Sequence, residues 1–102
     1  MEELNIEAPI IDVNKSNAIE LSKVVQTYLD IKAKEFRYDS MMSARSYAGY
    51  VNTFQFEAQK LAVWSSDCWV VAGQIEIDVL AGNRDIPTID EVTIELPTLI
   101  MT

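Results

Sequence analysis

The chain has 102 residues, enough for one domain with a true core, and 49% of them are hydrophobic. It holds no histidine, one cysteine and three dispersed glycines, which excludes Ser-His-Asp and Cys-His catalytic sets, His-based zinc sites, an internal disulfide and glycine-rich phosphate loops. Sixteen acids against eight bases give a net charge of -8, a surface that repels phosphate backbones, so no nucleic-acid binding is expected.

Residues 1–15 read as an extended N-terminal arm, and 16–102 as a single helical domain. Glu2, Glu3, Glu7 and Asp12 charge the arm, and Pro9 blocks a regular helix interior. Ile6, Ile10, Ile11 and Val13 make it apolar for a free tail. It is therefore expected either to pack along its own domain or to dock on a neighbouring subunit, for example as an added strand on a sheet edge. The acidic start lacks the basic region of a signal peptide, and the lone Cys68 suits a reducing compartment. The longest uncharged run, Ser46 to Phe56, is too short and too polar to cross a membrane.

A first amphipathic helix is predicted to start at Asn17, with Glu20 three residues on completing a capping box. Leu21, Val25, Tyr28, Leu29, Ile31 and Phe36 form its apolar face. Asp39 or Ser40 can cap a short second helix through Met41, Met42 and Ala44, which Gly49 ends. Lys32, Lys34, Arg37 and Arg45 gather near Tyr28 and Tyr38, as a solvated face or as a patch that orients one copy against another.

A long central helix is then expected, signalled by Asn52 and Gln55 and free of Pro and Gly up to Ala72. Phe54, Ala58, Leu61, Ser65, Cys68, Ala72, Ile75 and Val79 recur at spacings of four and three. Gly73 weakens the middle and Gly82 suits the C-terminal cap. Alternating side chains leave 75–80 and 92–96 open to a strand reading. Trp64 and Trp69 are each either core or an anchor for a partner. Thr88 and Glu91 form a capping box for a last short helix that Pro97 closes. The expected fold is mainly α, with one long central helix and an extended arm.

Carboxylates are the remaining route to chemistry. Asp90, Glu91 and Glu95 cluster at the last helix, where negative charge also suits a helix start. Asn83, Asp85, Asp90 and Glu91 are calcium ligands by type, though not at EF-hand spacing. No enzyme and no cofactor is expected.

From Tyr38 onward the chain carries Tyr38-Asp39-Ser40, Ser43-Ala44, Ser46-Tyr47-Ala48, Asn52, Phe54-Gln55, Glu57-Ala58, Leu61, Trp64 and Trp69. Val79-Leu80-Ala81-Gly82-Asn83-Arg84-Asp85-Ile86-Pro87-Thr88 and Glu95-Leu96-Pro97 follow. This order resembles a segment of small tailed-bacteriophage proteins associated with tail and tail-fibre genes. The family pattern has an Arg after the first Trp, where this chain has Ser65. The resemblance implies virion morphogenesis without catalysis, as a small structural tail component or as an assembly chaperone. Partners would then be a tail or tail-fibre protein or further copies of the chain, and the location host cytoplasm during assembly or the virion tail. The competing expectation is a small acidic phage effector that binds and inhibits a host protein, with the charge imitating nucleic acid or engaging a basic surface.

Overall fold

The computed structural model describes residues 13–101, all helix, turn or irregular structure. Helix α1 spans Val13–Glu35, α2 Met41–Arg45, α3 Gln55–Leu80 and α4 Ile89–Glu95. The mainly α expectation with one long central helix holds, and both strand alternatives resolve as helix: 75–80 lies in α3, and 92–95 in α4 with Leu96 as its C-cap. Among the described residues there is no sheet edge to which the arm could add a strand.

Helix α1 begins one turn earlier than the Asn17 signal, so the last residues assigned to the arm are helical. Nothing between Val13 and Asn17 interrupts a helix, and the Asn17–Glu20 pair becomes part of its interior. Leu21, Val25, Tyr28, Leu29 and Ala33 are buried, whereas Ile31 faces solvent. Helix α1 ends in a Schellman motif: Tyr38 N donates to Ala33 O at 3.1 Å and Arg37 N to Lys34 O at 3.0 Å. Arg37 sits there at φ 74, a left-handed conformation that favours glycine.

Ser40 caps α2, its hydroxyl accepting from Ser43 N at 3.1 Å, and Asp30 of α1 accepts from Met41 N at 2.9 Å. The chain then turns through 46–54, where Asn52 Nδ2 donates to Tyr47 O at 2.8 Å and to Tyr50 O at 2.7 Å. Asn52 Oδ1 accepts from Phe54 N at 2.8 Å, closing a turn ahead of α3, which starts at Gln55 with Phe54 as an N-cap that makes no side-chain bond, so the predicted Asn52 start lies a few residues early. The Gln55 amide turns instead to Ala48 O at 3.4 Å.

Helix α3 is the spine against which α1 and α2 pack. Its buried residues are Ala58, Leu61, Trp64, Ser65, Cys68, Ala72, Ile75 and Val79, the predicted stripe with one exchange. Phe54 precedes the helix and is half exposed, while Trp64 takes a place in the core. Gly82, at φ 80, ends α3 through a second Schellman motif, with Asn83 N donating to Asp78 O at 2.9 Å and Gly82 N to Val79 O at 3.0 Å. Helix α4 carries the predicted capping box: Glu91 N donates to Thr88 Oγ1 at 3.2 Å and Thr88 N to Glu91 Oε1 at 2.8 Å. Val92 and Leu96 seat it in the core.

Candidate association surface

The carboxylates singled out at the C-terminal end are engaged in holding the fold. Arg84 grips Glu95 in a two-pronged pair, Nη1 to Oε1 at 2.6 Å and Nη2 to Oε2 at 2.8 Å. That guanidinium holds the Glu95 carboxyl below its ordinary range. Glu91 is committed to its capping box. Among the described residues no three His, Cys, Asp or Glu side chains lie close enough to hold a metal ion, so Asp85, Asp90 and Glu91 with Asn83 do not form a calcium site.

Other chemical side chains are also built into the packing. Cys68 is fully buried, and burial pushes its thiol up to about 11. Tyr38 Oη donates to Glu57 Oε1 at 2.8 Å, and burial together with this bond pushes the phenol up to about 12. Tyr38 also meets Tyr47 and Phe54 at ring-centroid distances of 5.7 and 6.5 Å. Of the expected basic patch, Lys32 pairs with Glu35 at 3.2 Å, while Arg45 Nη1 donates to the buried Ser65 Oγ at 3.4 Å. Tyr28 and Tyr38 face inward.

The two tryptophans separate. Trp64 is 4% exposed, packs edge-on against Tyr28 at 5.8 Å and donates from Nε1 to Pro97 O at 2.8 Å. It is core, which corrects its reading as a partner anchor. Trp69 is partly buried and forms one wall of an open groove of about 450 Å³, opposite Ala18, Ile19, Ser22 and Gln26 of α1. Lys15 and Lys23 line the same groove. Ile6, Ile10 and Ile11 lie outside the described residues, and Val13 enters as the first residue of α1.

A second apolar line runs along α3 on the face turned away from the core. On α3, Phe56, Val63, Val70 and Ile77 recur every seventh residue and are 80%, 63%, 75% and 61% exposed. At 100° per residue they fall on the side of the helix opposite the core stripe. Between them, at the alternate heptad positions, stand Gln59, Ser66 and Gly73, so the whole line from Phe56 to Ile77 is uncharged. It is about 32 Å long. Ile100 borders it at Phe56, Gln59, Lys60 and Val63. Other exposed apolar side chains, among them Met42, Ile94 and the Tyr50, Val51 and Phe54 group beside Tyr47, do not form a comparable line along one helix.

Two opposite apolar stripes cancel in any measure of one-sidedness, so the core stripe shows only through its 4-3 spacing and the outward line only through its interval of seven. Compared with protein-family profiles, with curated proteins and with solved structures, the chain finds no match.

Proposed function

We propose that this chain is a non-enzymatic virion-morphogenesis protein of tailed bacteriophages, a small tail or tail-fibre component or an assembly chaperone, acting by protein–protein association. The observation that carries the reading is the outward heptad line of α3. Four large apolar side chains left in water at regular intervals over about 32 Å oppose solubility, and burial against a partner removes that cost. The resemblance from Tyr38 to Pro97 supplies the biological setting. The commitment of Glu91 and Glu95 to fold-keeping bonds fits a protein without a catalytic site.

The test is co-expression with tailed-bacteriophage tail and tail-fibre proteins, followed by size-exclusion chromatography with light scattering. A complex of defined stoichiometry is expected, and replacing both Val63 and Val70 by Glu should dissolve it without loss of helicity. Salt-sensitive binding to a host protein, with no tail partner, would instead establish the effector reading.

A further inference from the structure

We propose that a second copy of this chain covers the outward face of α3, the two α3 helices lying antiparallel about a two-fold axis. The inference rests on reading this face as the association surface and names its occupant. A helix with a 3-4 seam is matched by another helix with the same seam. Along this one, every first position is large (Phe56, Val63, Val70, Ile77) and every fourth is small or uncharged polar (Gln59, Ser66, Gly73).

Orientation follows from that alternation. Parallel helices set first positions against first and fourth against fourth, placing Gly73 on Gly73 and leaving a void. Antiparallel helices set first against fourth. One register then stacks Phe56 on the second copy's Gly73, Val63 on Ser66 and Val70 on Gln59, each layer occurring twice by symmetry. Apart from its chain neighbours and the surrounding helix backbone, nothing lies within 4 Å of a Cβ built on Gly73, so its side is open to receive a ring.

Charge selects the same register. Lys60 and Asp67 flank the seam on one edge, both are exposed, and neither has an ion-pair partner among the described residues. In the register above, each Lys60 lies beside the second copy's Asp67, giving two opposite-charge pairs, and Ala62 leaves room on the other edge for Trp69. Sliding the helices by one heptad brings Asp67 against Asp67, and parallel alignment brings Lys60 beside Gln55. Of these arrangements only the first joins opposite charges while seating large residues on small ones; it does so for Phe56, Val63 and Val70, and Ile77 reaches past the second copy's α3 to the turn at Asn52.

A seam of this length is at the small end of specific interfaces, so the dimer is expected to dissociate in the micromolar range. Sedimentation equilibrium of the full chain across that range should show a reversible monomer–dimer equilibrium. Lys60→Asp and Asp67→Lys, each setting like charges together, should each weaken pairing by about tenfold or more. The double variant should restore it, and mixing the two single variants should give a heterodimer of wild-type strength. Both residues are exposed and point away from the core, so circular dichroism should show unchanged helicity in every variant.

A wild-type chain that stays monomeric into the high micromolar range overturns the proposal. So does a double variant as weak as the single ones, which would mean that Lys60 and Asp67 do not face each other. If the chain is monomeric yet Val63→Glu with Val70→Glu abolishes binding to a tail protein, the self-pairing falls while the association reading stands.

Discussion

The indole of Trp64 donates to the backbone carbonyl of Pro97 at 2.8 Å, fastening the middle of α3 to the segment that leaves α4. This contact joins residues far apart in sequence, in a fold whose other bonds mostly link near neighbours along the chain. Trp64→Phe keeps much of the apolar packing, including the edge-on contact with Tyr28, but leaves the Pro97 carbonyl without its donor. A loss of about 1–2 kcal/mol is expected, against about 3–5 kcal/mol for Trp64→Ala. Urea unfolding followed by circular dichroism measures both. Equal losses in the two variants would mean that the hydrogen bond, not the packing, carries the contact.

The two Schellman motifs should respond to glycine with opposite signs. Arg37 and Gly82 occupy equivalent positions at the ends of α1 and α3, with φ of 74 and 80. Arg37→Gly removes the left-handed penalty of a side chain, partly offset by the freer unfolded chain, and should raise stability by up to about 1 kcal/mol. Gly82→Ala imposes the penalty and should lower it by about 1–2 kcal/mol. Thermal midpoints of the two variants check the signs directly.

Alkaline pH should loosen the core in a defined window. The Cys68 thiol rises from 9.0 to about 11 and the Tyr38 phenol from 10.0 to about 12, both because burial disfavours the charged form. Raised values mean that the folded state holds the proton more tightly. The stability contribution is therefore complete below the ordinary value and is lost as pH climbs through the raised one. Stability should begin to fall above pH 9 and continue falling to about 12. Tyr38→Phe, which lacks the bond to Glu57, should be less stable than wild type at pH 8 by about 1 kcal/mol. The gap should narrow from pH 10 and close near 12. A gap independent of pH would show that the ring's packing, and not its hydroxyl, matters.

Acid works through Glu95 with the opposite sign. Arg84 lowers the carboxyl from its ordinary 4.5, so the pair's contribution is complete above that pH and is lost as pH falls through the lowered value. Both side chains are partly exposed, at 30% and 31%, which limits the gain to about 0.5–1 kcal/mol even with two-pronged geometry. Glu95→Gln should cost that much at neutral pH and nothing once wild-type Glu95 is protonated. Comparing denaturant midpoints of the two proteins at pH 7 and below pH 4.5 gives the answer.

Much of this architecture is legible in the sequence where one physical signal acts alone. The 4-3 stripe from Ala58 to Val79, the Thr88–Glu91 capping box and the Gly82 cap are local rules that the packing reinforces. Asn17 misleads because a capping pattern in the interior of a continuous helix has nothing to cap. Phe54 fits the stripe by spacing but stands before the first turn of α3, where it meets Tyr38 and Tyr47 at the rim of the core and stays half exposed. The position of Trp64 needs the tail: its polar edge is buried only because Pro97 offers a carbonyl there. The outward line of α3 was hidden by the core stripe on the reverse side, since two opposed apolar faces cancel in the averages that reveal one.

That outward line also carries a handedness. A repeat of seven falls short of two full turns of a straight α-helix, so it drifts by about 20° per heptad. Between Phe56 and Ile77 the drift amounts to about 60° around the axis of α3. A straight rod laid parallel to α3 would touch one end of the line and miss the other. A helix that follows all four side chains must wind around α3 in a left-handed sense, crossing at roughly 20°. The spacing of four apolar residues thus sets the angle at which a helical partner would leave this molecule, and with it the shape of any assembly built through this face.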